Sequence, residues 1–177
     1  NEHGNIFDFL MKTTNMKFGE AVKTLAVEAG LPLYKFTQLD EKREKKWQIY
    51  SKILEQYKFY YHNELKNKKS QDLKSYLSKR GLTDKEIDYF KIGFVPKEAV
   101  FFDKLKDNFL ETEILDTGLF YFDEKNKKYV ERFRGRLIFP INGLTGSTIA
   151  FGGRILFNQK LSKYINSPET LFFKKGN

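Results

Sequence analysis

The chain has 177 residues, no cysteine, two histidines and a formal net charge of +9. That length suits one or two domains with a real core, and the lack of cysteine excludes disulfides and thiolate metal sites. No run approaches the roughly 18 apolar residues of a membrane span and the first residues lack a signal-peptide pattern, so the sequence reads as cytoplasmic, with no membrane partner. It begins without Met and stops in KKGN, which reads as a piece of a longer protein.

In chain order, Asn5 is placed to cap a short helix carrying Ile6, Phe7, Phe9 and Leu10. Phe18, Ala21, Val22, Leu25, Ala26 and Ala29 then fall at helical spacing, with Gly30 closing that helix and Pro32 preventing its resumption. The pattern lapses from Leu33 to Leu39, a linker. Asp40 is expected to cap a long helix whose stripe is Trp47, Tyr50, Ile53, Leu54, Tyr57, Tyr61 and Leu65. The polar run ELKNKKSQD reads as a loop, and DLKSYLSKR as a shorter helix ending at Gly81. Thr83 to Glu86 has the form of a capping box, with Ile87 and Phe90 inward. After Pro96 come further helical turns to a stop at Gly118.

Strand character follows. LFYFD, a polar turn at EKNKK, and YVERFRGRLIFPI predict a hairpin. If Arg132 to Arg136 is extended, its three Arg side chains share one face, because strand periodicity is two. NGLTG is a turn and STIAFGGR a second core strand. Gly152 and Gly153 leave the backbone bare beside Arg154, as close approach of a ligand or of a second chain segment requires. The class is therefore α+β: a helical N-terminal half, then a small antiparallel sheet with a basic surface.

The charge is not spread evenly. From Arg132 onward there are four Arg and four Lys against one acid, Glu169, which accounts for +7 of the total. Lys outnumbers Arg 26 to 6 over the chain, yet Arg132, Arg134, Arg136 and Arg154 all lie in this segment. A guanidinium offers a planar fork that grips phosphate or carboxylate bidentately, which an ammonium does not. Clustered positive charge of this type is a footprint for a polyanion.

RFRGRLIFPI, then FGGR, then KYINSPETLFFKKG resembles the bacterial-type DNA primases. Upstream, YLSKRGLTDKEIDYFKIGFVP resembles the opening of the same polymerase domain, and HGNIFDFLM with FGEAVKTLAVEAG resembles the tail of the family's zinc-binding domain. The resemblance implies residues 1–34 as that tail and the start of a linker, and 35–177 as the N-terminal subdomain of the RNA polymerase domain. It implies that zinc ligands precede Asn1 and that the acids of a TOPRIM α/β fold, which hold Mg²⁺ or Mn²⁺ for nucleotidyl transfer, follow Asn177. By that reading this stretch binds no zinc and is inactive alone. The intact enzyme lays RNA primers on single-stranded DNA from ribonucleoside triphosphates and meets a replicative helicase through other regions.

Residue by residue, the resemblance places functional cations at Arg80 in KRG, Arg154 in FGGR, Lys163 in KYIN and Lys175 in KKG, with Tyr164 and Asn166 completing a nucleotide and template surface. Arg132 and Arg134 join them on charge. Cations neutralise phosphate, Asn166 can bond a base or sugar, and Tyr164 offers a stacking face. Ala150 stands where the family often has Gly, and Lys174 where His is frequent. Plainer readings stay open: Arg132 and Arg134 as charges guarding an edge strand, Arg80 as a cation at a helix C-terminus, Tyr164 as packing. Two other functions also stay open, a non-catalytic module for single-stranded nucleic acid and the primase half of a primase–helicase.

Overall fold

A computed structural model describes residues 6–33, 37–67, 71–98, 101–156 and 161–176. The chain forms two compact units, one of residues 1–48 and 142–147, the other of residues 49–141 and 148–177.

In the first unit, α1 (Ile6–Thr14) and α2 (Phe18–Glu28) meet through the rings of Phe7 and Phe18, whose centroids are 5.7 Å apart, and through Ala21, which is fully buried. Gly30 ends α2 at φ +64°, a conformation that costs glycine little. The cap of α3 (Gln38–Asn67) differs from the sequence expectation. Thr37 is the capping residue, and Asp40 is the third residue of the helix, reaching back to accept from the Thr37 N–H at 2.9 Å. The Asp40 N–H in turn donates to Thr37 Oγ1 at 3.2 Å, the reciprocal pair of a capping box. The predicted cap at Asn5 lies outside the described residues.

The second unit is organised on the later turns of α3. Tyr50, Ile53, Leu54, Tyr57, Tyr61 and Leu65 are buried along the predicted stripe, joined by His62. Their rings continue outward: Tyr57 lies 5.3 Å from Phe151 and 5.9 Å from Phe120, both edge or tilted contacts favoured by the ring quadrupole. The run ELKN, expected as loop, stays helical to Asn67 because Leu65 is buried with Leu73, Leu77, Ile87, Ile92 and Leu137. Next come α4 (Gln71–Lys79) and α5 (Asp84–Tyr89), the latter opened by the expected Thr83–Glu86 box. The hydrogen bonds from Thr83 hold the Glu86 carboxyl below its usual pKa. Ile87 is buried, but Phe90 is not: it caps the end of α5 and stands 57% exposed, since the helix stops before another turn can carry it inward.

Two strands escaped the sequence reading, β1 (Gly93–Val95) and β6 (Tyr164–Asn166). With β4 (Arg136–Asn142) and β5 (Thr148–Ile155) they make a four-stranded sheet in the order β1-β4-β5-β6. The pairs β1–β4 and β5–β6 are antiparallel. Between β1 and β4 run α6 (Phe101–Lys106), α7 (Glu111–Asp116) and a hairpin of β2 (Phe120–Asp123) and β3 (Lys128–Glu131). The mixed helix and antiparallel-sheet class is the one expected.

The single extended face proposed for Arg132, Arg134 and Arg136 is not present. Residues 132–135 form a turn, with Gly135 at φ +71°, and only Arg136 enters a strand. The turn exists because Phe133 is completely buried, its ring edge-on to Phe151 at 6.3 Å. Swinging that side chain into the core bends the backbone and sends the three arginines in different directions.

Candidate nucleic-acid interface

Strands β5 and β6 build the centre of the site. Their register sets Arg154 opposite Tyr164, Gly153 opposite Ile165 and Gly152 opposite Asn166. Opposed residues of an antiparallel pair share a face, and faces alternate along each strand. Arg154, Tyr164 and Asn166 therefore stand together on one face. Gly152 leaves the room Asn166 uses, since a Cβ there would lie 3.3 Å from Asn166 Oδ1. Gly153 serves the other face, where a Cβ would meet Phe133 Cδ1 at 2.4 Å. Of the two explanations for bare backbone at this pair, a second chain segment accounts for both glycines.

Arg154 is held by aromatic rings. Its guanidinium carbon is 5.0 Å from the centre of the Tyr164 ring and 5.5 Å from that of Tyr76, and Nη1 donates to the Tyr164 hydroxyl. The same Tyr76 ring has the Arg80 guanidinium carbon at 5.8 Å, and Lys163 Nζ lies 5.7 Å from the Tyr164 ring. These separations are those of cation–π contacts. The structure thus joins Arg80, Arg154, Lys163, Tyr164 and Asn166 from α4's end, β5 and β6. Among the described residues no carboxylate pairs with Arg80, Arg154 or Lys163. Tyr164 is 59% exposed, so part of its ring is open to a ligand.

Tyr76 was not singled out from sequence. Its position four residues before Arg80 was a usable signal, because such residues are neighbours on a helix surface. Arg136 is a second omission of role. It is buried at 5% exposure, and its Nη1 donates to the Ser162 carbonyl at 2.9 Å. Burial pulls its pKa below the usual value, yet a guanidinium remains charged near neutrality. Arg136 thereby fixes the backbone that leads into Lys163 and Tyr164.

Arg132 and Arg134 form a separate group around Tyr121 of β2. Arg132 Nε donates to the Gly118 carbonyl at 2.7 Å with its guanidinium carbon 5.7 Å from the Tyr121 ring. Arg134 Nη2 donates to the Tyr121 hydroxyl at 3.2 Å. Arg134 also lines a cleft of about 460 Å³ with Lys97, Lys106, Lys128, Phe102 and Tyr129, where Glu98, Asp103 and Glu131 offset part of the charge. Lys175 is exposed beyond a turn in which the Thr170 N–H donates to the Phe173 carbonyl at 2.9 Å. Among the described residues no group of three or more His, Asp or Glu could hold a metal ion, and no helix is long and apolar enough to cross a membrane.

Guanidinium and ammonium groups interleaved with tyrosine rings, carried on an antiparallel sheet in a protein of mixed helix and sheet, make a surface of the kind suited to a polyanion. Residues 60–177 match the family of the DNA primase catalytic core, N-terminal domain. DNA primase of Clostridium acetobutylicum is 37% identical over 180 residues, spanning 99% of this chain and 29% of that protein. Among solved structures, the DnaG primase catalytic domain bound to ssDNA superposes with a TM-score of 0.65 at 30% identity, covering 74% of this chain and 41% of that one. The Aquifex aeolicus primase, zinc-binding and RNA polymerase domains, gives 0.65 at 28% identity, covering 97% and 40%. The chain belongs to the DNA primase family. It spans under a third of the length of the curated primases it matches.

Proposed function

We propose that the intact protein synthesises RNA primers on single-stranded DNA, and that this chain supplies the surface that binds template and incoming ribonucleoside triphosphate. The observation that carries this reading is the Arg154 group: cations on aromatic rings, with no carboxylate partner among the described residues. Arg154 and Lys163 neutralise phosphate charge, with Arg80 and Lys175 beside them in role. Tyr164 gives a stacking face and Asn166 a polar contact to base or sugar. Arg132 and Arg134, around Tyr121, bind the template backbone. Family membership supports residues 1–34 as the end of a zinc-binding domain and 35–177 as the N-terminal subdomain of the polymerase domain.

Polymerisation of nucleoside triphosphates uses a divalent cation, Mg²⁺ or Mn²⁺, to neutralise the reacting phosphates. The described residues contain no carboxylate cluster that fits one, so the work assigned to them is binding and orientation. Zn²⁺ belongs to the full-length protein, as does contact with a replicative helicase.

The test is Arg154→Lys in the full-length protein. The ammonium keeps the charge but loses the fork and the flat contact with two rings. Primer synthesis on a single-stranded template should fall at least tenfold while the urea midpoint moves little. Wild-type primer yield from that variant would overturn the reading.

A further inference from the structure

We propose that Tyr76 is a positioning residue that joins Arg80 and Arg154 into one polyphosphate-binding unit, an inference that rests on the nucleotide-binding reading of Arg154. Arg80 follows the end of α4 and Arg154 lies in β5, so the two come from elements far apart in sequence. Their guanidinium carbons are 5.8 and 5.5 Å from one ring centre. Among the described residues neither has a carboxylate to offset its charge. An electron-rich ring attracts both. The ring itself is anchored, packed against the buried cluster of Leu73, Leu77, Ile87 and Leu137.

Two unpartnered atoms say which part of the tyrosine acts. The Tyr76 hydroxyl is buried with no hydrogen-bond partner among the described residues, so the contact is carried by the ring. Arg154 Nε is likewise buried without a partner among the described residues. Arg154 is therefore oriented by Tyr76 and by Tyr164, and by no carboxylate among the described residues, which leaves its charge for an external anion. A polyphosphate long enough to reach both guanidiniums is drawn by each, so the shared ring makes Arg80 and Arg154 act on the same ligand.

The experiment measures inorganic tripolyphosphate binding to the full-length protein by calorimetry, with template-dependent primer synthesis assayed in parallel. Tyr76→Leu should weaken tripolyphosphate binding roughly 5- to 30-fold, and Tyr76→Phe should restore it. In an Arg154→Ala background Tyr76→Leu should have a clearly smaller effect, the part carried by Arg80 alone, a coupling that a purely structural role does not produce. Should Tyr76→Leu fail to fold, progressive fluorination of a phenylalanine at position 76 withdraws electron density from the ring at nearly constant size. Affinity should then fall stepwise with fluorine number. A flat fluorine series, additive effects of Tyr76→Leu and Arg154→Ala, or no tripolyphosphate binding by wild type would each overturn the inference. Primer synthesis without Tyr76 dependence leaves the primase reading intact and removes this one; Tyr76-dependent binding without primer synthesis does the reverse.

Discussion

Glu131 is buried at 2% exposure between the Tyr61 hydroxyl, which donates to it, and the Phe101 N–H, which donates at 2.8 Å. Burial pushes its carboxyl above the ordinary value of 4.5, and the hydrogen bonds offset this only in part. The same burial and the neighbouring carboxyl raise the Tyr61 hydroxyl. Because the folded pKa of Glu131 is the higher one, protons are bound more tightly by the folded state. Stability is greatest below the unfolded value and falls as pH rises from there through the folded value. Glu131→Gln keeps an oxygen acceptor and cannot ionise. The stability of that variant relative to wild type should therefore improve between about pH 4 and about pH 7, as measured by urea unfolding at both ends. A gap that stays constant, or moves the other way, contradicts the assignment. Nothing in the sequence marked Glu131, which stands in the string ERFRGR beside three arginines, because its partners come from α3 and α6 by folding.

Among the elements, β4 and β5 decide how the site is presented, and a glycine at their centre shows how tightly. A Cβ at Gly153 would sit 2.4 Å from Phe133 Cδ1 and 3.3 Å from Arg136 Cδ. Phe133 is wholly buried and has nowhere to turn. Gly153→Ala should cost roughly 1–3 kcal/mol by overpacking, read as a lowered urea midpoint with unchanged slope, and Phe133→Leu in the same chain should recover part of it. An unaffected midpoint would mean that Phe133 does not fill that space in solution. The helices were legible because their stripes repeat: the buried face of α3 runs along Tyr50, Ile53, Leu54, Tyr57, Tyr61 and Leu65 as the spacing predicts. The short strands were not. β1 is three residues long and pairs Gly93 with Ile138, Phe94 with Leu137 and Val95 with Arg136, contacts that leave no local period. The turn at 132–135 was misread as strand for the converse reason, since alternating Arg and Phe imitates a strand while the depth of Phe133 is set by the core.

For the whole molecule, the charge surplus predicts binding that is governed by salt. Affinity of the full-length protein for a single-stranded oligo(dT) should fall by roughly 0.7 log unit per log unit of salt for each phosphate neutralised. Removing Arg132 and Arg134 together should lower that slope by about 1.4, by fluorescence anisotropy over a salt series. A slope that does not change would assign these two arginines to packing around Tyr121. The uneven use of Arg and Lys, the motifs RFRGRLIFPI, FGGR and KYIN, and the class of mixed helices and antiparallel sheet are properties of the string of residues, since charge, local spacing and family likeness need no third dimension. So is the choice of Arg80, Arg154, Lys163, Tyr164 and Asn166 as candidates. That Arg80, Arg154 and Lys163 meet the rings of Tyr76 and Tyr164, with Asn166 on the strand face of Arg154, that Arg136 is buried to hold the backbone before Lys163, and that Arg132 and Arg134 turn away to Tyr121 are decided only by tertiary structure. The physical reason is that side-chain direction beyond one turn of helix or one strand is set by what the core must bury, here Phe133 and the rings of α3, and that demand is made by residues distant in sequence.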